Sequence, residues 1–286
     1  MAAIQGIFNH QRFNPIRAAA VVGVLFATLI SACSLGKTPA LEPGSTQVSE
    51  YDDMVLLFIP ESTFAMGSEN GDEDEKPVHN VTLDAFWIYQ TEVTNGMYAR
   101  CVAAMACVEP YDELMNPSYY ADPDFADYPV VYVTWNMARQ YCDWAGGRLP
   151  TEAQWELAAR GSNDQRIYPW GNQAPNCSLA NFHASSGLCI GDPWRVGGYP
   201  RGASPYGVLD MAGNVMEWVN DYYASTYYSV SPSKNPAGPD EGLDKVLRGG
   251  AYHTGENNLR VSDRTYTSPI ITDTSGAYGF RCVIRP

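Results

Sequence analysis

The alternation of apolar and polar positions predicts many short elements rather than a few long ones. Residues 54–60 form an apolar run closed by proline, which is typical of a buried strand, and residues 81–90 are predicted as a second strand. Helices are predicted at residues 94–106, 134–145 and 151–161. From Tyr168 onward, Gly, Pro and aromatic residues recur every few positions. The second half of the chain should therefore consist mainly of coil and short strands.

A threonine precedes each predicted helix, where its hydroxyl can accept a hydrogen bond from a free N–H group of the first turn. These threonines are Thr94, Thr134 and Thr151. Gln154 follows Thr151 at the spacing of a capping box. Charged side chains near the third helix are interpreted as helix-end and ion-pair residues rather than as a binding site. They are Arg148, Glu152 and Glu156.

The apolar pattern is interrupted most sharply in residues 207–218, GVLDMAGNVMEW. Most of this stretch is apolar and belongs in a core, yet it carries Asp210, Asn214 and Glu217. Buried acids must be paired or must bind a metal. Calcium takes carboxylate and backbone carbonyl oxygens of this kind, spaced along one bent segment. The alternative is an acid pair satisfied by arginine or backbone N–H groups, without an ion.

This stretch resembles the signature of the formylglycine-generating-enzyme or sulfatase-modifying-factor family. Other motifs that resemble the family's follow its order along the chain. They are FAMGS (64–68), EVTN (92–95), PVVYVTWNMARQYCDWAGGRLPTEAQWELAARG (129–161), YPWGN (168–172), VLRGGAY (246–252) and YGFRCV (278–283). The resemblance covers about residues 54–285. It implies an α+β, C-type-lectin-like fold with little regular secondary structure, in which calcium helps to hold the coil.

The resemblance also implies two sets of calcium ligands, which act through side chains or backbone carbonyls. The first set is Asp210, Gly213, Val215 and Glu217. The second set is Asn181 and Phe182, with Asp192 as a further ligand. Calcium is therefore the expected cofactor, with a structural role.

The segment that carries the chemistry in catalytic members differs here. Those members hold copper(I) between two cysteines that lie five residues apart after the RGG motif, since copper(I) prefers thiolates. They oxidise a cysteine of a sulfatase to formylglycine. Residues 248–266, RGGAYHTGENNLRVSDRTY, contain no cysteine, and Thr254 and Leu259 stand near the two positions. Neither copper nor formylglycine synthesis is expected.

His253 in this segment is a candidate for an acid–base group. A lone histidine is far more often an ordinary surface or core residue. The polar and aromatic residues of the segment predict a groove for a peptide, protein or glycan. The alternatives are a plain loop and, for Arg248 and Arg264, neutralisation of buried acids. The groove residues are Tyr252, His253, Thr254, Asn257, Asn258, Arg260 and Arg264.

Residues 1–32 predict an export signal, because Arg12 and Arg17 precede an apolar run at 18–30 that is too short to span a bilayer. The run ends in LISAC, which resembles a bacterial lipobox and predicts lipidation of Cys33. A plain secretory signal or a short uncleaved anchor is the alternative. Residues 33–50 are predicted as the lipidated cysteine and a flexible tether, and residues 51–286 as the domain. The expected location is a bacterial membrane surface, periplasmic or at the cell surface.

Apart from Cys33, six cysteines remain, an even number that favours disulfides in an exported chain. The expected pairs are Cys101 with Cys107, Cys177 with Cys189, and Cys142 with Cys282. The first two pairs would close short local loops, and the third matches a disulfide of the family. Free thiols or a zinc site are the alternatives, although no two cysteines have CxxC spacing.

The negative net charge of the chain argues against nucleic acid as a partner. The net charge is −14, and the leader holds two arginines and no acid, which leaves −14 − 2 = −16 for the rest of the chain. Such a surface repels nucleic-acid phosphates. Three functions are then ranked. The first is a non-catalytic, lipid-anchored binding or structural module, the second is a sulfatase-cysteine oxidase, and the third is another enzyme that uses His253.

Overall fold

The computed structural model describes residues 41–111, 119–163, 165–271 and 276–286. The helices are α1 (Asn95–Ala103), α2 (Trp135–Trp144) and α3 (Glu152–Arg160). The strands are β1 (Thr46–Val48), β2 (Val55–Ile59), β3 (Ser62–Met66), β4 (His79–Leu83), β5 (Phe86–Tyr89), β6 (His183–Ala184), β7 (Gly187–Leu188), β8 (Met216–Tyr222), β9 (Lys245–Arg248), β10 (Thr265–Thr267), β11 (Tyr278–Phe280) and β12 (Val283–Ile284).

Two four-stranded sheets organise the domain. One has the order β1-β2-β5-β12 and is antiparallel. The other has the order β10-β9-β8-β11, in which β11 runs parallel to β8 and places Gly279 opposite Glu217. This pairing brings the YGFRCV motif beside GVLDMAGNVMEW, so residues far apart in sequence meet at the candidate site.

The helix starts agree with the sequence prediction. Each predicted threonine cap accepts a backbone N–H hydrogen bond from three residues ahead. The bonds are Met97 N to Thr94 Oγ1 at 3.2 Å, Met137 N to Thr134 Oγ1 at 3.3 Å, and Gln154 N to Thr151 Oγ1 at 3.2 Å. Gln154 Oε1 also accepts from the backbone N–H of Thr151 at 3.1 Å, which completes the capping box.

Two predicted segments need correction. The strand at 81–90 is interrupted after Leu83, because the backbone N–H of Asp84 donates to Asn235 Oδ1 instead of to a sheet. Its halves enter different sheets as β4 and β5. The flexible tether predicted at 33–50 contains β1, which pairs with β2 at Thr46 opposite Leu57. The export signal, Cys33 and the first part of the tether lie outside the described residues.

The described residues include no helix that is long and apolar enough to cross a membrane. The predicted disulfides Cys101–Cys107, Cys142–Cys282 and Cys177–Cys189 are all present. Cys142 lies in α2 and Cys282 lies between β11 and β12, so this bond ties a helix to the centre of the fold.

Helix α3 is buried along its whole length, including its charged residues. Glu156 Oε2 accepts from Arg248 at 2.6 Å, and its Oε1 accepts from Arg160 at 2.9 Å. Glu152 binds Arg248 and Arg264. The interpretation of Glu152 and Glu156 as ion-pair residues is therefore confirmed.

The pH dependence of stability should depend on Asp221, a buried residue whose Oδ2 accepts from the backbone N–H of Glu152 at 2.9 Å. Burial, and then the charge of Glu152, raise the pKa of the Asp221 carboxyl to about 8. An acid with a raised folded-state pKa stabilises the fold while protonated, so this contribution is lost as pH rises from about 4 to about 8. Asp221→Asn cannot ionise. Between pH 5 and pH 8, the unfolding free energy of this variant should therefore fall less than that of the wild-type protein. The difference between the two falls should be on the order of a few kcal/mol.

Urea unfolding at pH 5, 6.5 and 8 measures this difference, with the exposed Asp240→Asn as the control variant. Parallel pH profiles for wild type and Asp221→Asn would contradict the assignment.

Candidate functional site

The GVLDMAGNVMEW stretch is a bent coil that leads into β8. Asp210, Gly213 and Asn214 all have positive φ angles, of 56°, 80° and 62°. A Cβ atom at Gly213 would collide with the backbone carbonyl of Asn181, so only glycine fits there. The bend thus holds Asp210 and Asn214 next to the coil that carries Asn181.

Glu217 is buried in an ion pair with Arg281. Arg281 Nη2 donates to Oε1 at 2.6 Å, and Arg281 Nε donates to Oε2 at 2.7 Å. Trp155 Nε1 also donates to Oε2, at 2.9 Å. Glu217 is therefore satisfied by arginine, which is the alternative that the sequence left open for this residue. Both of its oxygens are already engaged, so the geometry does not support the predicted role of Glu217 as a calcium ligand.

Glu92, from the EVTN motif, is a site residue that the sequence analysis did not assign. It is fully buried, and its Oε1 accepts from Asn214 Nδ2 at 3.0 Å. Its Oε2 is buried without a hydrogen-bond partner among the described residues. Burial, followed by the carboxyl of Asp210, raises the pKa of Glu92 well above its ordinary value. The available sequence signal was an acid two residues before the Thr94 helix cap, in the EVTN motif.

Asp210 completes a group of three buried carboxyls. Its Oδ2 accepts from the backbone N–H of Gly197 at 2.6 Å, and its carboxyl lies close enough to Glu92 to raise the pKa of that residue. Burial raises the pKa of Asp210. Arg281 provides one positive charge against the carboxyls of Glu92, Asp210 and Glu217. A divalent cation would balance the remaining charge, so Glu92 and Asp210 fit a calcium ion by charge and by donor type.

The second predicted ligand set lies beside the first. Asn181 Oδ1 is buried without a partner among the described residues, while Asn181 Nδ2 donates to the Asp192 carbonyl at 2.9 Å and to Asn214 Oδ1 at 3.3 Å. The carbonyl of Phe182 accepts from Cys189 N at 3.0 Å. Asn214 thus connects Asn181 with Glu92. The buried Asn181 Oδ1, which has no partner among the described residues, also fits a hard cation.

In the segment at 248–266, the side chains at positions 254 and 259 are engaged within the fold and offer no metal ligand. Thr254 Oγ1 accepts from Ala251 N at 2.9 Å and donates to Ala251 O at 3.0 Å. Leu259 is fully buried and packs with Phe182 and Ala212. His253 is exposed, and its ring lies 4.9 Å from that of Tyr252. Thr254 and Leu259 therefore offer a satisfied hydroxyl and a buried alkyl group.

The prediction that Arg260 and Arg264 line a binding groove in this segment is wrong. Arg264 is buried, and its Nε and Nη2 donate to the two oxygens of Glu152 at 2.7 and 3.0 Å. Arg260 pairs with Glu75 at 2.7 Å and also reaches Asp72 and Asp263. Both guanidiniums are used inside the fold because the buried acids of other segments require counter-charges. His253 and Asn257 remain exposed, whereas Tyr252 is buried and Thr254 and Asn258 are half-buried.

Comparison with known proteins identifies the family. The sulfatase-modifying factor enzyme 1-like domain matches residues 40–286. The formylglycine-generating enzyme of Streptomyces coelicolor is 33% identical over 300 residues, which cover 85% of this chain and 91% of that enzyme. The serine/threonine-protein kinase pkn1 of Chlamydia caviae is 37% identical over 241 residues, or 79% of this chain. The chain spans 37% of the length of that kinase.

Solved structures agree on the fold. PvdO from Pseudomonas aeruginosa matches with a TM-score of 0.70 and 25% identity, covering 86% of this chain and 100% of that one. Treponema denticola variable protein 1 matches with a TM-score of 0.66 and 22% identity, covering 85% and 99%. These likenesses confirm the predicted α+β, C-type-lectin-like fold with short, scattered elements.

Proposed function

Because the chain belongs to the formylglycine-generating-enzyme and sulfatase-modifying-factor family, we propose that it is a non-catalytic member that uses the family's fold for binding or as a structural module. One observation carries the proposal. Near the positions that hold copper in catalytic members, Thr254 and Leu259 offer no thiol, and every cysteine of the described domain is in a disulfide. Copper(I) requires soft ligands, which this site lacks.

An activity assay tests the proposal. The purified protein is incubated with copper(I), oxygen and a cysteine-containing peptide derived from a sulfatase, and mass spectrometry follows conversion of the thiol to the aldehyde. The formylglycine-generating enzyme of Streptomyces coelicolor is the positive control. We expect no conversion above the enzyme-free background. Formylglycine formation would establish the second candidate, an oxidase, which the 33% identity to that enzyme favours.

A gain-of-function variant sharpens the same test. Thr254→Cys/Leu259→Cys restores two thiols at the family spacing, and it should take up copper(I) while the wild-type protein does not. Equal copper binding by both proteins would mean that other residues hold the metal. The third candidate, catalysis through His253, predicts that His253→Ala abolishes turnover of whichever substrate is found; unchanged behaviour of this variant excludes it.

We propose further that calcium braces the coil around Asn214. Two buried oxygens support this role, Glu92 Oε2 and Asn181 Oδ1, because neither has a hydrogen-bond partner in the described part of the chain. The carboxyls of Glu92, Asp210 and Glu217 also outnumber the single positive charge of Arg281. Glu92 and Asp210 would hold one ion, and Asn181 with Asp192 a second; the carbonyls of Gly213, Val215 and Phe182 are the backbone ligands that the family implies. When bound, calcium supplies positive charge that the buried acids otherwise lack.

Chelation should therefore destabilise the domain. A ligand present at about 100 times its Kd stabilises by about 2.7 kcal/mol, which for a domain of this size corresponds to roughly 5–10 °C in Tm. Differential scanning fluorimetry with calcium or with a chelator measures the shift. Glu92→Gln should respond less, because it removes one anionic ligand. Glu73→Gln, whose side chain is 92% exposed, should respond like wild type. An identical Tm for wild type with and without calcium would contradict this role.

The membrane anchor is also a proposal, carried by the LISAC sequence before Cys33. Lipidation of Cys33 would place the domain at the periplasmic or outer surface of a bacterial membrane, which would then be its first partner. Membrane fractionation checks this point: wild-type protein should sediment with membranes, and Cys33→Ser should not be lipidated.

A further inference from the structure

An aromatic cavity of about 220 Å³ lies between residues 119–132 and residues 190–194. Tyr128 is its central ring, with its centroid 5.0 Å from Phe125 and 5.8 Å from Trp194. Tyr119 backs Phe125 at 5.2 Å, and its hydroxyl donates to the Pro129 carbonyl at 2.9 Å. These edge and tilted contacts fix the rings against one another, so the wall of the cavity is preformed.

Several polar groups at this cavity are unused within the described part of the chain. The Asp192 carboxylate lines the cavity and forms no hydrogen bond or ion pair there. The Trp194 indole N–H and the Tyr128 hydroxyl likewise have no partner among the described residues. The guanidinium of Arg195 stacks over the rings of Trp194 and Tyr128 at 5.6 and 5.9 Å, without a described acid partner. One carboxylate, one guanidinium and two neutral polar groups thus lie around the same aromatic rings.

This combination selects the chemistry of a ligand. A free anion would be repelled by Asp192, and a cationic ligand would be repelled by the guanidinium of Arg195, which lies beside the rings of Tyr128 and Trp194. A purely apolar ligand would leave the Trp194 N–H and the Tyr128 hydroxyl, both on half-buried side chains, without partners in the cavity. A sugar ring satisfies all of them, because its C–H face packs on aromatic rings while its hydroxyls both donate and accept hydrogen bonds.

We infer that the cavity between Tyr128 and Trp194 binds one pyranose unit of a neutral saccharide. Arg195 and the Trp194 N–H donate hydrogen bonds to the sugar hydroxyls, and the Asp192 oxygen that is not used by calcium accepts from them. The cavity volume is about 220 Å³, whereas sites for drug-sized ligands typically have volumes of about 300–1,000 Å³. The cavity therefore takes a single sugar ring, and any further units lie outside it. This inference rests on the proposed binding role and gives it a ligand class.

The test is saturation-transfer NMR on the calcium-loaded protein with a panel of neutral hexoses and N-acetylhexosamines. We expect transfer to the ring protons of at least one sugar. Trp194→Ala should weaken that binding about tenfold or more, as is usual for truncation of a central aromatic anchor. Arg195→Gln should weaken it less. Trp194→Phe, which keeps an aromatic face, should retain most of the affinity. Asp192 is left intact, because it is also a predicted calcium ligand.

The matched control is Trp170→Ala, which removes a half-buried tryptophan that stacks on Tyr168 outside this cavity. It should bind the sugar like wild type. Equal loss in both tryptophan variants, binding of choline in place of every sugar, or no sugar binding at all would each overturn the inference. The formylglycine assay separates the two proposals: aldehyde formation removes the non-catalytic role, whereas absence of both sugar binding and aldehyde removes only the saccharide site.

Discussion

Replacing Glu152 with alanine should lower the free energy of unfolding by about 3–5 kcal/mol, because it strands a buried arginine. Arg264 Nε and Nη2 bind the two carboxylate oxygens of Glu152, and both side chains are almost completely buried. Arg248 also reaches Glu152, at 3.2 Å, but it keeps Glu156 at 2.6 Å. Arg264 therefore loses its acid partner, while Arg248 retains one.

Urea unfolding at pH 7 measures the loss. The control is Glu73→Ala, which breaks the exposed pair of Glu73 with Lys76 and should cost no more than about 1 kcal/mol. A second variant, Glu152→Ala/Arg264→Met, removes both charges and should recover part of the stability, since the penalty arises from the unpaired charge. Equal losses for Glu152→Ala and Glu73→Ala would show that the buried pair contributes nothing special.

Local features of this fold were predictable because their physical causes are local. The caps at Thr94, Thr134 and Thr151 depend on a hydroxyl and an N–H group three residues apart. Strand β1 escaped prediction because its side chains are all exposed, so it shows no apolar pattern. It exists because its backbone pairs with β2, a contact that the sequence of β1 does not signal.

The candidate site was predictable only in part, because several of its contacts join residues that are far apart in the sequence. The stretch around Asp210 identifies itself by carrying acids in an apolar run, and the family pattern supplies Asn181. Glu92 joins them through Asn214, which lies 122 residues away. The partner of Glu217 is Arg281, brought in by the parallel pairing of β11 with β8. Such distant contacts decide whether a buried acid is paired with an arginine or keeps an oxygen without a partner. The spacing of residues along the sequence does not reveal them.

The disulfide Cys142–Cys282 should be the more stabilising of two comparable bonds. It closes a loop of 140 residues, whereas Cys101–Cys107 closes one of 6. In the chain-entropy model the longer loop contributes about 5 kcal/mol and the shorter about 2 kcal/mol, since the cost of closing the unfolded chain grows with loop length. Cys142→Ala/Cys282→Ala should therefore lose clearly more stability than Cys101→Ala/Cys107→Ala.

Guanidinium unfolding of the two double variants measures this difference directly. All four cysteines are buried, so each variant loses two buried sulfur atoms and the packing losses are of similar kind. The difference between the variants then reports mainly on loop length. The m-value should increase more for Cys142→Ala/Cys282→Ala, because its unfolded chain is released over a longer span and exposes more surface. Equal midpoints and equal m-values for the two variants would mean that the long-range bond stabilises the folded domain through local packing alone.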